Sequence, residues 1–224
     1  MVLDQNARIT QPDGVVTEGD LVVPDDPGGT IVFAHGSGSG RHSPRNRAVA
    51  QSLQGSGFAT LLLDLLTADE EQLDRTRGHL RFDIELLARR LDTAAAWVQA
   101  RRELVGVPIG YFGASTGAAA ALIAAAEHPD RVGAIVSRGG RADLAGDRLR
   151  RVACPTLLIV GEADEVVLDL NRRALRQVTA GSSLEVVPGA THLFEEPGAL
   201  DVVTELATHW FVTHLARRSF ERPA

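Results

Sequence analysis

The sequence predicts an α/β protein built on a mostly parallel, doubly wound sheet with helices on both faces. Apolar runs alternate with helical patterns almost from end to end, which is the order that gives parallel strands joined by helical crossovers. The five middle runs are nearly uniformly apolar, as expected of strands covered on both faces. With 224 residues and a hydrophobic content of 44%, the chain can bury a large core, so we expect a single domain over residues 1–224.

The predicted strands are short apolar segments bounded by turn residues. They comprise residues 20–23, 30–34, 59–64, 109–112, 134–137, 156–160 and 183–187. Because ligands of an open parallel sheet bind at the carboxyl ends of its strands, we expect the functional residues in the loops that follow these segments.

The predicted helices lie between the strands. Ser43 and Pro44 supply an N-cap and a first-turn proline for a helix that ends before Gly55. The predicted set comprises residues 43–54, 81–101, 116–127, 169–178 and 199–215. The stretch 138–155, where a cap domain could enter, has room for one short helix. We therefore expect no large cap and an open, shallow site.

The segment "GASTG", residues 113–117, matches the pattern G-x-S-x-G of a nucleophile elbow. An apolar strand precedes it and an alanine-rich helix follows it, which is the setting that the pattern requires. In such a turn a strained backbone exposes the serine hydroxyl, and side chains at Gly113 or Gly117 would collide with neighbouring elements. Ser115 is therefore the candidate nucleophile; the alternative is a packing turn with an incidental serine.

A serine hydroxyl needs a base to remove its proton and a carboxylate to orient that base. His192 is the candidate base, because it lies in a loop after the last predicted strand; the alternative is a surface histidine. Asp164, in a loop after the strand 156–160, is the candidate acid. Its rivals are Glu162 and Glu165, with Asp169 third.

The loop "HGSGSG", residues 35–40, follows the strand 30–34 and is the candidate oxyanion loop. A tetrahedral intermediate needs two N–H donors aimed at its oxygen. We expect one donor from the backbone of Thr116 and the other from Ser37 or, second, Gly38. The alternatives are a loop chosen for flexibility and a phosphate cradle. The glycine spacing matches neither nucleotide-binding fingerprint.

These segments, with "GEADEVV" (residues 161–167) and "GATHLFEE" (189–196), resemble the functional segments of the α/β-hydrolase superfamily over residues 30–215. Ser115, Asp164 and His192 occur in the chain order of that superfamily. Within it, the short chain is similar to the dienelactone-hydrolase-like serine hydrolases. True dienelactone hydrolases carry a cysteine nucleophile, whereas position 115 is serine. Cys154 precedes Pro155 at the opposite end of a strand and is expected to be a small buried residue.

The resemblance implies an enzyme that cleaves short-chain or lactone-type carboxylic esters through an acyl-enzyme. Alternatives are a thioesterase or amidase, a perhydrolase or acyltransferase, and a non-catalytic binding module that retains the fold. Neither a metal nor an organic cofactor is implied. Arg41, Arg138 and His79 are candidate substrate contacts. For the two arginines, the alternative is a role in holding loops together through backbone carbonyls; for His79, it is a surface position.

The composition limits which binding partners and which cellular compartment we expect for the protein. The formal net charge of −6 argues against nucleic acid and anionic membranes as partners. One cysteine allows no internal disulfide, and the N-terminal segment has no signal-peptide pattern. We therefore expect a cytoplasmic monomer or homodimer that acts on a small-molecule ester.

Overall fold

The computed structural model, which describes residues 3–178 and 181–215, confirms the predicted α/β class. Its strands are β1 (Leu3–Thr10), β2 (Val16–Val23), β3 (Thr30–Ala34), β4 (Ala59–Leu63), β5 (Ile109–Ala114), β6 (Val132–Arg138), β7 (Thr156–Gly161) and β8 (Ser183–Val187). They form one eight-stranded sheet in the order β1-β2-β4-β3-β5-β6-β7-β8. The pairings of β2 with β1 and β4 are antiparallel, and the other pairings are parallel.

Helices cover both faces of the sheet. They are α1 (Pro44–Gly55), α2 (Ala68–Arg77), α3 (Ile84–Gln99), α4 (Thr116–Glu127), α5 (Glu165–Leu175) and α6 (Ala199–His214). Apolar side chains of α3 and α4 pack into one core, and those of α1 and α6 pack into the core on the opposite face. None of these helices combines the length and the apolarity needed to cross a membrane.

The central strands of the sheet are buried. Every residue of β3, β4, β5 and β7 is buried, which explains why these strands have nearly uniformly apolar sequences rather than alternating ones. In α4, all residues from Thr116 to Ala126 are buried, and the alanines allow this helix to lie close to the sheet. The turn between β5 and α4 therefore joins two fully buried segments.

One strand and one α-helix were not predicted. The strand β1 alternates buried residues such as Ala7 and Ile9 with polar ones, and it is completed by antiparallel pairing with β2. The helix α2 is polar on nearly all sides, so it lacks the periodicity of a core-facing helix. Its start is nevertheless marked by a capping box between Thr67 and Glu70, a signal that the sequence contains.

Two predicted helices have different bounds. The segment 81–101 divides into a short 3₁₀ helix, Leu80–Phe82, and α3, whose N-cap Asp83 accepts a hydrogen bond from the Leu86 N–H. The helix α5 begins at Glu165, four residues before the predicted start. The segment 138–155 contains a 3₁₀ segment at Ala142–Arg151 with a kink at Gly146, and no large cap.

Candidate active site

Ser115 occupies the strained turn that the elbow pattern predicts. It lies between β5 and α4 with φ of 49° and ψ of −120°, a backbone conformation that is costly for a residue with a side chain. Its N–H donates to the Arg138 carbonyl at 3.2 Å, and its own carbonyl accepts from the Arg141 N–H at 3.0 Å. The chain that follows β6 therefore holds the turn in place on both sides.

The two glycines of the elbow are required because neighbouring backbone atoms lie too close to leave room for a side chain. A Cβ atom on Gly113 would lie 2.4 Å from the Ala118 Cα, and one on Gly117 would lie 2.2 Å from the Ala34 carbonyl oxygen. Both distances are far below van der Waals contact with backbone atoms that have little freedom to move. The pattern G-x-S-x-G thus follows from packing of the turn against α4 and β3.

Asp164 and His192 are directly paired. The His192 Nδ1 lies 2.6 Å from the Asp164 Oδ2, and the carboxylate is mostly buried. Asp164 stands at the N-cap position of α5 but makes no side-chain capping bond there. This pairing leaves Nε2 as the imidazole nitrogen that is available for proton transfer.

The other candidate acids have different partners. Glu162 accepts a hydrogen bond from the Gly189 N–H at 2.8 Å and so holds the loop that carries His192. Glu165 is the first residue of α5, and Asp169 pairs with Arg172 on the helix surface. Of these carboxylates, the one of Asp164 contacts the imidazole.

The segment that follows β6 links the serine to the histidine. Arg138 and Arg141 bind the backbone of Ser115, as described above. Between them, Gly139 is so close to His192 that an added Cβ atom would lie 3.5 Å from the ring carbon Cε1. Ser115 and the Asp164–His192 pair therefore lie at the same carboxyl edge of the sheet, on either side of this segment.

The loop after β3 lies against the nucleophile. An added Cβ on Gly36 would lie 3.0 Å from the Ser115 Cβ, so a side chain at this position would crowd the nucleophile. The Ser37 hydroxyl lies 3.1 Å from the Thr116 hydroxyl and donates to the Arg81 carbonyl at 3.2 Å. Ser37 and Gly38 also line two cavities, a small one of about 80 Å³ and a wider groove of about 780 Å³.

His35 anchors this loop, and the sequence analysis did not single it out. Its buried Nε2 accepts from the Leu65 N–H at 2.9 Å, so Nδ1 carries the proton and donates to the Gly36 carbonyl at 2.9 Å. Burial lowers the pKa of this imidazole, which keeps it neutral. The sequence signal that could have identified His35 is its position directly after a buried strand and directly before Gly36, the glycine next to the nucleophile.

Arg41 is held by three carboxylates. Its guanidinium pairs with Asp64, with Glu18 at 2.7 Å and with Asp20 at 3.4 Å. These contacts favour the hypothesis that Arg41 holds loops together, with carboxylates rather than backbone carbonyls as its partners. His79 is exposed immediately before the 3₁₀ helix Leu80–Phe82.

Arg138 is buried beside the elbow without such partners. Its side chain is 8% exposed, and its guanidinium carbon lies 5.9 Å from the centre of the Phe112 ring. Among the described residues, its Nη1 has no hydrogen-bond partner. Burial, together with the nearby charge of Arg45, lowers the pKa of Arg138 to about 10.

Cys154 lies at the end of β7 opposite the candidate site. Cys154 is a free, buried thiol just before β7, and burial raises its pKa to about 12. In the described ranges, no group of three or more histidine, cysteine, aspartate or glutamate side chains is arranged to hold a metal ion.

Comparisons with known proteins identify the fold family of the chain. The sequence profile of the α/β-hydrolase-fold family matches residues 29–152, which is more than half of the chain. The crystal structure of a dienelactone hydrolase from Anabaena variabilis is 50% identical, with a TM-score of 0.93, over 96% of this chain and 99% of that one. The esterase Est1E from Butyrivibrio proteoclasticus is 17% identical, with a TM-score of 0.78, over 93% and 98% of the two chains, which shows the fold alone.

Two curated Mycobacterium tuberculosis proteins, provisionally named phosphoribosyl transferases, are 58% identical to this chain over 201 residues. That alignment covers 90% of this chain but 44% of each relative, so the chain spans less than half of their length. The profile match and the extensive similarity to the Anabaena protein decide the family. The chain belongs to the α/β-hydrolase fold family and is a dienelactone-hydrolase-like member of it.

Proposed function

We propose that the chain is a serine hydrolase that cleaves small carboxylic esters with Ser115, His192 and Asp164. The observation that carries this proposal is the pairing of two features at one edge of the sheet. A strained serine is held at the strand-to-helix turn, and Asp164 and His192, which are in contact at 2.6 Å, lie in loops at the same carboxyl edge. A nucleophile, a base and an orienting carboxylate are the groups that acyl transfer needs.

In the proposed reaction, His192 Nε2 accepts the Ser115 proton while Oγ bonds to the ester carbonyl carbon. The resulting oxyanion accepts hydrogen bonds from the Thr116 N–H and from the Ser37 or Gly38 N–H. When the tetrahedral intermediate collapses, the carbon–oxygen bond of the ester breaks and the imidazolium protonates the leaving alkoxide. Asp164 keeps the proton on Nδ1 and stabilises the imidazolium.

Deacylation repeats these steps with water as the nucleophile. The imidazole removes a proton from the water, the hydroxide adds to the acyl carbon, and the collapse of the second intermediate returns the proton to Ser115. The products are a carboxylic acid and an alcohol. Thr116 supports the oxyanion from the first turn of α4, where the helix dipole also favours negative charge.

A panel of esters, with matched thioesters and amides, tests the proposal. We expect the wild-type chain to hydrolyse short esters and the Ser115→Ala and His192→Ala variants to lose at least about 10³-fold in kcat. Equal rates for the wild type and both variants would refute it. A preference for thioesters or amides would correct the substrate class, and transfer to an added alcohol in place of water would identify an acyltransferase.

The transferase name of the mycobacterial relatives is not carried over to this chain. More than half of each relative lies outside the match, so the alignment does not assign that name to the shared part. Incubation with phosphoribosyl pyrophosphate and a nucleobase addresses this possibility separately. We expect no release of pyrophosphate above that of a sample without protein.

A further inference from the structure

Asn171 is a polar side chain without access to solvent in the middle of α5. It is 0% exposed, and it follows Asp164, the candidate acid at the N-cap of this helix, by seven residues. About two turns of α-helix therefore separate the amide from the acid. Burial of an amide costs free energy unless its polar atoms have partners, so the hydrogen bonds of Asn171 indicate what it does.

The amide of Asn171 makes hydrogen bonds through its nitrogen. Nδ2 donates to the Val167 carbonyl, one turn back in α5, and to the Gly140 carbonyl outside the helix, both at 2.8 Å. Oδ1 is buried and has no hydrogen-bond partner among the described residues. An unpaired buried oxygen is unfavourable, so an apolar side chain would suit packing alone better than this amide does. The contact that an apolar side chain could not make outside the helix is the one with Gly140.

Gly140 belongs to the segment that holds the proposed nucleophile, residues 138–141, which we call the β6 exit segment. The Arg138 carbonyl accepts the Ser115 N–H at 3.2 Å, and the Arg141 N–H donates to the Ser115 carbonyl at 3.0 Å. The backbone of the strained serine is therefore bound on both sides of Gly140. A shift of the exit segment would move the serine with it.

The exit segment also lies against the proposed base. An added Cβ atom on Gly139 would lie 3.5 Å from the His192 Cε1, and the Gly139 N–H donates to the Ile159 carbonyl of β7 at 2.7 Å. The next residue, Gly140, has its carbonyl bound by Asn171. The exit segment is thus attached to β7 and to α5, and the acid lies between these two elements in the chain.

We propose that Asn171 is a positioning residue, which holds the β6 exit segment against α5 through the Gly140 carbonyl. Because that segment binds Ser115 and α5 begins directly after the acid, the bond fixes the nucleophile relative to the base and the acid. This inference rests on the proposed function, because it concerns the transfer of the serine proton to the imidazole. Proton transfer requires heavy atoms about 2.6–3.2 Å apart, and a displacement of about 1 Å can lower a rate about 100-fold.

Asn171→Leu tests the bond by removing the donor. Leucine has the same number and branching of side-chain heavy atoms as asparagine. We expect kcat for a short ester to fall about 10- to 100-fold, with KM changed by less than about twofold, because the geometry of proton transfer changes and ester binding does not. Circular dichroism establishes that the variant is folded. Should Asn171→Leu not fold, Asn171→Ala replaces it with the same expectation.

The matched control is Ala174→Gly, at another buried position of α5. Glycine destabilises the helix but leaves the bond between Asn171 and Gly140 in place, so kcat should stay within about twofold of the wild-type value. An equal loss of kcat in both variants would overturn the inference, because the stability of α5 would then explain the effect.

Asn171→Asp supplies a readout that a purely structural role would not move. A protonated carboxyl group donates its O–H to the Gly140 carbonyl, whereas an ionised one has no hydrogen to donate. Burial raises the pKa of a carboxyl group, so the bond should be present in acid and lost in base. We expect the ratio of kcat values, variant over wild type, to fall at least about tenfold from pH 6 to pH 9. A ratio independent of pH, in proteins that circular dichroism shows to be folded, would overturn the inference.

These experiments separate the inference from the proposed function. An active wild-type enzyme with unchanged kcat in Asn171→Leu would refute the positioning role and leave ester hydrolysis intact. A wild-type protein that hydrolyses no ester would instead refute the proposed function, and the positioning role with it.

Discussion

Two buried arginines on opposite sides of the carboxyl edge of the sheet, Arg90 and Arg138, differ in their partners. On the β3–β4 side, arginines have carboxylate partners: Arg41 pairs with Asp64, and Arg90 forms two hydrogen bonds of 2.6 Å with Glu70. On the β5–β7 side, Arg138 is just as well shielded from solvent but has no carboxylate partner among the described residues.

The same division holds for backbone strain. The β5–β7 side contains Ser115 in its unfavourable backbone conformation. On the other side, the His35 ring forms hydrogen bonds with the Gly36 carbonyl and with the Leu65 N–H. Strain and unpaired charge persist only where the surrounding structure enforces them, and they are typical of sites that act on a ligand. In the proposed mechanism, the β5–β7 side carries the nucleophile, the base and the acid, and the loop after β3 contributes one oxyanion donor.

The largest effect should come from the acid that contacts the imidazole. Asp164→Asn is expected to lower kcat about 10³- to 10⁴-fold, because an amide does not hold the histidine tautomer that accepts the Ser115 proton. The control is Glu162→Gln, which weakens a hydrogen bond to Gly189 in the same loop. Its loss should be less than about tenfold, as measured by steady-state ester hydrolysis. Equal losses would mean that the loop, rather than the acid, limits the rate.

The elbow glycines provide the next test, this time of stability. Gly117→Ala is expected to lower the free energy of unfolding by roughly 3 kcal/mol or more, because the new methyl group would meet the Ala34 carbonyl. Gly55→Ala, at the end of α1, meets nothing within 4 Å and should be neutral or stabilising by up to about 1 kcal/mol. Urea denaturation of both variants measures this difference, and similar losses would contradict the packing argument.

Replacing a paired arginine and replacing an unpaired one should also have different effects on the free energy of unfolding. Arg90→Gln removes two hydrogen bonds to Glu70 and is expected to cost about 2 kcal/mol. Arg138→Gln removes a buried charge without a partner and should change the free energy of unfolding by less than about 1 kcal/mol. Equal destabilisation in urea would show that Arg138 is a structural residue and would remove the contrast between the two sides.

The smallest effect concerns His35 and pH. Burial lowers the pKa of this imidazole below its ordinary 6.5, against opposing contributions from the Gly36 carbonyl and the charges of Asp64 and Glu71. The unfolded chain therefore binds a proton at a higher pH than the folded one. Its contribution to stability is complete above pH 6.5 and is lost as the pH falls from there toward the lowered native value.

His35→Gln should flatten this part of the pH profile, as seen by urea denaturation at several pH values. His79→Gln, which removes an exposed imidazole before the 3₁₀ helix Leu80–Phe82, is measured in parallel as the control. An equally steep acid limb in the His35→Gln protein would show that other groups determine it.

The sequence predicted those parts of the molecule in which local pattern and tertiary burial agree. The helix α4 and the buried strands β3 to β7 have compositions that match their surroundings, so their types were correctly predicted. The helix α2 was missed because its polar surface gives no periodicity, and β1 because its identity depends on pairing with β2. The start of α5 was misplaced because Asp164 turns toward His192 instead of capping the helix.

The candidate site shows the same division. The elbow pattern directed attention to Ser115 because its glycines are required by packing: a side chain at Gly117 would collide with the Ala34 carbonyl. The different environments of Arg41 and Arg138 depend on contacts across strands, with Asp64 in one case and with Phe112 in the other. Sequence spacing does not encode such pairings, and both residues therefore had two open hypotheses until the fold was known.

The central claim is that Ser115 is a nucleophile activated by His192. Reaction with a fluorophosphonate probe, followed by peptide mapping of the adduct, tests it most directly. We expect one adduct on Ser115 in the wild-type protein, none in Ser115→Ala and much slower labelling in folded His192→Ala. A protein that stays unlabelled, or that is labelled at another residue, would contradict the account.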